Sequence, residues 1–176
     1  MNEPASFVSG RPGSDDGNQY SNGCYKNKLN FPPFIPHSLN EYKNGIGLFE
    51  KTICMTGSQF NPQTGSQESH YNLHSLYGLS QGQPTLEACQ AATGQRCLIV
   101  SRSTFPGAQK HVGHWHGDNS SIWRHLKQGL IATIEFSLFG FPYTGPDICG
   151  FFNEAEEEMC LRWSQLGAFF VYSRLD

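Results

Sequence analysis

What most limits the fold of this chain is an alternation, beyond His70, of short apolar runs with stretches of helical apolar spacing. Cys97-Leu98-Ile99-Val100 is a brief apolar run between turn signals, the pattern of a strand buried on both faces. Ile122, Trp123, Leu126, Leu130, Ile131, Ile134 and Leu138 then recur at i, i+3/i+4 and predict a helix packed on a sheet. Asp118, Asn119 and Ser120 offer capping side chains before it, and Gly140 offers a stop. Pro142 to Gly145 reads as a second strand, about Glu154 to Leu166 as a helix, and Ala168 to Tyr172 as a last strand. Upstream, Tyr71, Leu73, Leu76, Tyr77 and Leu79 have helical spacing; Pro84 permits a second helix start, and Gly94 a stop. Strands alternating with helices are the signature of βαβ units and a parallel sheet. The count falls short of a closed barrel, since eight strand–helix pairs need about 250 residues. Half a barrel leaves sheet edges unpaired and apolar faces bare.

Residues 4–69 are different. They are rich in Gly, Pro, Ser and Asn, with no sustained helical or strand period, and read as a long loop-rich segment before the alternating part, 70–176. Aromatics make up 13% of the 176 residues, enough for a core and against disorder. A net charge of −3 gives no basic field to attract nucleic acid. No apolar run reaches membrane-spanning length, and the first residues lack the basic and apolar regions of a signal peptide. The six cysteines form no C-x-x-C pair, so neither a zinc ribbon nor a thioredoxin motif is indicated, and an even count suits disulfides in an oxidising compartment. Cys24 and Cys54 would restrict the loop-rich part if joined. His111, His114 and His116 do not by themselves define a metal site.

In parallel α/β folds, functional groups collect where strands end and helices begin. Three such places are Ser101 to Thr104, His114 to Asn119, and Gly145 to Phe152. Each supplies one polar group, Arg102, Asp118 and Asp147, with Trp115 and Phe151 close in sequence. Carboxylates beside aromatic faces suit a sugar, whose hydroxyls need acceptors and whose C–H faces need flat apolar surface. On spacing alone, a helix cap is the better reading of Asp118.

The residues also carry a resemblance. Met1-Asn2-Glu3-Pro4-Ala5-Ser6-Phe7 is similar to the continuation of the W-x-D-M-N-E-P-A-S-F motif of glycoside hydrolase family 31. Ser101 to Phe105, Gly113 to Asn119, Asp147 to Phe151 and Arg162 to Phe169 resemble that family's next signatures, in order. The resemblance spans nearly the whole chain. It implies a (β/α)8 TIM-barrel fold, of which this chain is a part running roughly from the end of strand 4 to strand 8. It also implies retaining hydrolysis of α-glucosides such as malto-oligosaccharides, without cofactor or metal.

By motif position Asp118 resembles the general acid/base. Arg102, Trp115, Asp147 and Phe151 resemble residues lining a glucose subsite, with Met1 and Glu3 beside the nucleophile. The nucleophilic Asp itself would precede Met1, so the given residues are expected to lack it and to be inactive alone. Cys149 with Cys160, and Cys24 with Cys54, match family disulfides; Cys89 and Cys97 match no pair and are expected to be buried free thiols. His116 replaces a leucine of intestinal members, Pro146 a common alanine, and Asp176 a subsite histidine. The family's intestinal members place the parent enzyme in the secretory pathway. Glu154 to Glu158 is expected to be a solvated, dipole-favoured helix start.

Overall fold

The computed structural model describes residues 2–5, 24–34, 47–49 and 52–175. They fall into two compact units, Pro4–Tyr77 and Met1–Glu3 with Gly78–Asp176.

The first unit is held by side-chain amides, a cross-link and a small hairpin. Asn30 is fully buried; its Nδ2 donates to the Tyr25 carbonyl (2.8 Å) and its Oδ1 accepts from the Met55 N–H (2.8 Å). Its carbonyl accepts from Leu48, and the Asn27 side chain caps the turn by accepting from Leu29 and Asn30. Phe31 and Phe49 meet edge to face at 5.4 Å. Cys24 and Cys54 are joined. Strands β1 (Ser58–Asn61) and β2 (Ser66–Ser69) pair antiparallel, with Gly65 at φ +68 closing the turn. The sequence reading expected no strand here. Both strands are polar and open to water on both faces, so no apolar alternation betrays them. His70, at the start of the short helix α1 (His70–Leu73), is fully buried. It accepts from Gln59 Nε2 (2.9 Å) and lies 3.4 Å from the Thr52 hydroxyl, which donates to the Pro4 carbonyl.

The second unit contains α2 (Tyr77–Thr93), β3 (Val100–Ser101), β4 (Gly113–Trp115), α3 (Trp123–Leu138), β5 (Thr144–Gly145), β6 (Asp147–Ile148), α4 (Glu157–Gly167) and β7 (Arg174–Leu175). Strands β3-β4-β5 form one parallel sheet and β6-β7 another. Its main core joins Ile148, Cys149, Met159, Trp163 and Phe170; a second cluster holds Ala108, Val112 and Phe141, with Leu79, Ile99 and Phe136 packed on it.

Several expected boundaries move. Pro84 lies inside α2 instead of starting a helix: the helix runs through it, and Gly94 ends it at φ +65 as expected. A single proline forfeits one hydrogen bond, which the rest of a 17-residue helix outlasts. The strand at 97–100 is confined to Val100–Ser101; Leu98 is 65% exposed, so this run is not buried on both faces. Cys97 is instead bonded to Cys89, so these half-buried cysteines are a disulfide and not free thiols. Cys149 and Cys160 are also joined. The last strand lies at Arg174–Leu175, while Phe169 and Val171 stand exposed in the turn before it.

Helix α3 forms over the expected span, and Gly140 follows it at φ +91. Its caps do not: Ile122 occupies the N-cap, and the Ser120 N–H donates to His125 Nδ1 (2.8 Å). Its inward face is not the expected one either. Leu126, Gly129, Ala132, Thr133 and Phe136 turn inward, whereas Trp123, Ile131, Ile134 and Leu138 are exposed. The reason lies at Gly129, where an added Cβ would come within 2.9 Å of the Pro146 ring. The helix approaches the sheet along its small residues.

Candidate functional site

The second unit carries polar side chains at and just beyond the ends of its parallel strands. Arg102 follows β3, Trp115 ends β4, Asp118 lies on the loop beyond it, Asp147 starts β6 and Arg174 starts β7. Within β4 successive side chains alternate between faces. His114 and His116 face the helix layer: His114 stacks on Phe136 of α3 with centroids 3.8 Å apart, and His116 Nε2 is 2.9 Å from the Thr144 hydroxyl. Burial lowers each imidazole pKa to about 4, with the neighbouring His116 adding to the effect on His114. They are core histidines. Trp115, between them, turns to the opposite face and meets the polar cluster.

That cluster has two parts. In the first, Arg102 lies between two carboxylates: its Nε donates to Glu3 Oε1 (2.8 Å) and its Nη1 stands 3.9 Å from Asp118 Oδ2. Asn2 fixes the approach of the chain, since its side chain donates to the Gly78 and Ser103 carbonyls and accepts from the Ser103 N–H. In the second part, Asp147 is fully buried; its Oδ1 accepts from Trp115 Nε1 (2.6 Å) and from Arg174 Nη2 (2.7 Å). The Arg174 guanidinium lies over the Trp115 ring at 4.6 Å, and that of Arg102 at 5.8 Å. Trp115 therefore links the two parts. A cavity of about 400 Å³ is lined by Asn2, Thr85, Arg102, Trp115, Tyr172 and Arg174, among others. Burial raises the pKa of the Tyr172 phenol, so it serves there as a neutral hydroxyl.

The loops carrying Asp118 and Asp147 are sewn together. Asn119 Nδ2 donates to the Asp147 carbonyl (2.9 Å), and its Oδ1 accepts from the Phe151 N–H (3.1 Å). Phe151 and Phe152 also donate to the Asn119 carbonyl, and Ser121 Oγ donates to the Cys149 carbonyl (2.7 Å). These bonds hold Cys149 at φ +72, an uncommon backbone conformation for any residue but glycine. Asn119 is thus structural, and its amide is occupied.

Of the residues expected at the site, Glu3, Arg102, Asp118, Trp115 and Asp147 come together. Phe151 is 47% exposed and packs edge to face on Phe152. Met1 lies outside the described residues, as does Asp176. Two contributors were missed. Arg174 was passed over, although it lies two residues before Asp176 in the same family motif, where only the replaced histidine drew notice. Asn119 was read only as a helix cap, though its place between two functional loops was the signal.

Comparison with known proteins agrees with the motif order. The model of the glycosyl hydrolases family 31 TIM-barrel domain matches residues 1–176. The chain is similar to human probable maltase-glucoamylase 2, 49% identical over 174 residues, covering 99% of this chain and 6% of that protein. It is likewise similar to human intestinal sucrase-isomaltase, 46% identical over 174 residues, covering 99% and 9%. Among solved structures, a family 31 alpha-glucosidase from Bacteroides thetaiotaomicron superposes with a TM-score of 0.57 at 32% identity, covering 61% of this chain and 18% of that one. The chain spans less than a tenth of the length of those two curated relatives. With a family model matched along its whole length, the chain belongs to glycosyl hydrolase family 31, within its TIM-barrel domain.

Proposed function

We propose that these residues supply the acid/base half of a retaining α-glucosidase site acting on malto-oligosaccharides. The observation that carries the reading is Arg102 set between Glu3 and Asp118, beside the Trp115 ring. In this reading Asp118 gives its proton to the glycosidic oxygen as a carboxylate on the opposite face bonds to the anomeric carbon and the C–O bond breaks. Water then attacks that carbon, losing its proton to Asp118, and the carboxylate leaves. Retention requires the two carboxyls about 5–5.5 Å apart.

In this reading neither Glu3 nor Asp147 is the attacking carboxylate. Glu3 is bonded to Arg102, and Asp147 is buried between Trp115 and Arg174, so each is committed elsewhere. Residues 1–176 alone therefore perform no turnover and at most bind glucosides weakly. The units would correspond to the barrel from the end of strand 4 to strand 8, with 4–69 as a loop-rich insertion and 70–176 as the alternating core. Three disulfides support a secretory, oxidising location for the parent enzyme.

The test is an assay of residues 1–176 on a chromogenic α-glucoside beside Asp118→Asn, with binding of a glucose-configured iminosugar followed by NMR. No turnover, with saturable binding weakened by Asp118→Asn, is the expected result. Turnover abolished by that substitution would overturn the placement of the nucleophile; no binding at all would overturn the sugar site.

A further inference from the structure

We propose that Arg174 is a positioning residue, which clamps the Asp147 carboxylate and the Trp115 indole as one rigid wall for a sugar ring; its use toward sugar rests on the function proposed above. Three observations converge on it. Arg174 Nη2 and Trp115 Nε1 both bond to the same oxygen of Asp147, at 2.7 and 2.6 Å. The guanidinium also lies over the indole face at 4.6 Å, within cation–π range, so one side chain fixes both partners at once. Finally, Arg174 and Asp147 are register partners in the parallel β6–β7 pair, so their side chains leave the same face of the sheet.

The chemistry explains why arginine is needed. A fully buried carboxylate stays ionised only if a cation and donors satisfy it, and Asp147 is fully buried. A flat guanidinium bonds the carboxylate in its plane while its face covers a ring; a lysine ammonium does one or the other. With Arg174 in place, the indole N–H is held by an anion and its ring orientation is fixed. Without it, Asp147 loses the cation bonded to the oxygen that Trp115 shares, and Trp115 loses the cation over its face.

The clamp has a spectroscopic readout independent of sugar. The chain has three tryptophans, Trp115, Trp123 and Trp163, so its indole N–H signals are three and can be assigned by Trp→Phe variants. In the unaltered chain the Trp115 signal lies downfield, because its N–H donates to the Asp147 carboxylate. In Arg174→Met it moves upfield. Arg174→Lys displaces the signal in the same sense, and Asp147→Asn moves it upfield by removing the anionic acceptor. If Arg174→Met fails to fold, the lysine and asparagine variants decide. An unmoved Trp115 signal in a folded Arg174 variant, or in Asp147→Asn, overturns the clamp. Iminosugar binding is read on the same samples, and Arg174→Lys is expected to weaken it about tenfold. Absence of iminosugar binding to the unaltered chain sinks the sugar reading alone, since the indole signal still reports on the clamp.

Discussion

The two units reach order by different means. Residues 78–176 bury a conventional core around Trp163, which is fully enclosed with Met159, Ile148 and Phe170. The described residues of 4–77 bury Phe49 and Met55 but lean more on a buried asparagine, a histidine between two polar partners, and a disulfide. The first kind of order is driven by apolar area and is non-directional. The second depends on each hydrogen bond being made, because an unmet buried polar group is costly. The lesson is that a loop-rich segment can be well defined, and that its weak points are individual atoms.

The comparison can be broken most directly at Trp163. Trp163→Ala should cost about 3–5 kcal/mol and abolish the cooperative transition of the 78–176 unit, read by denaturant titration. Survival of that transition would mean the core lies elsewhere. Next is the cross-link of the other unit. Cys24 and Cys54 are 30 residues apart, and Cys89 and Cys97 only 8. Chain entropy alone then gives about 3.5 kcal/mol for the first and about 2.5 for the second. Paired Cys→Ser variants, compared by thermal melting, should fall in that order. Asn30→Ala should cost about 2 kcal/mol by leaving the Met55 N–H without its acceptor, and limited proteolysis should cut within 4–77 first.

A further effect is on pH. His114 and His116 have folded pKa values near 4, below the 6.5 of the unfolded chain. The unfolded chain takes up their protons first, so stability is full above pH 6.5 and declines as pH falls toward 4. His70 in the other unit is lowered by burial, with the nearby His74 adding to it, so its contribution has the same sign. Melting temperatures at pH 7, 5.5 and 4.5 should fall steadily, and His116→Leu should flatten the decline. A flat profile in the unaltered chain would place the histidines in contact with water.

Much of the second unit was legible because its elements announce themselves. Helix α3 and its Gly140 stop, helix α4 and the positions of Arg102 and Asp118 beyond their strands were readable from spacing and motif, whereas Asp147 opens β6. The inward face of α3 was not, because large apolar residues dominate any pattern while the contact is made by Gly129, Ala132 and Thr133. Close approach favours small side chains, and these leave little trace in a hydrophobic period. His114 and His116 sat inside a polar motif, yet strand alternation sends them to the core and Trp115 to the site. The Cys89–Cys97 bond was invisible because the resemblance offered no pair for it. The hairpin at 58–69, being polar on both faces, had no period to find.

The pairing of Asp147 with Arg174 has a consequence for assembly of the sheet itself. The two residues are neighbours through the backbone ladder and through their charges. Sliding β7 by a single position would send the arginine to the far side of the sheet and strand a buried anion. The contact therefore works as a key in a keyway. It admits one alignment of this strand and rejects the others, so β7 proofreads its own docking.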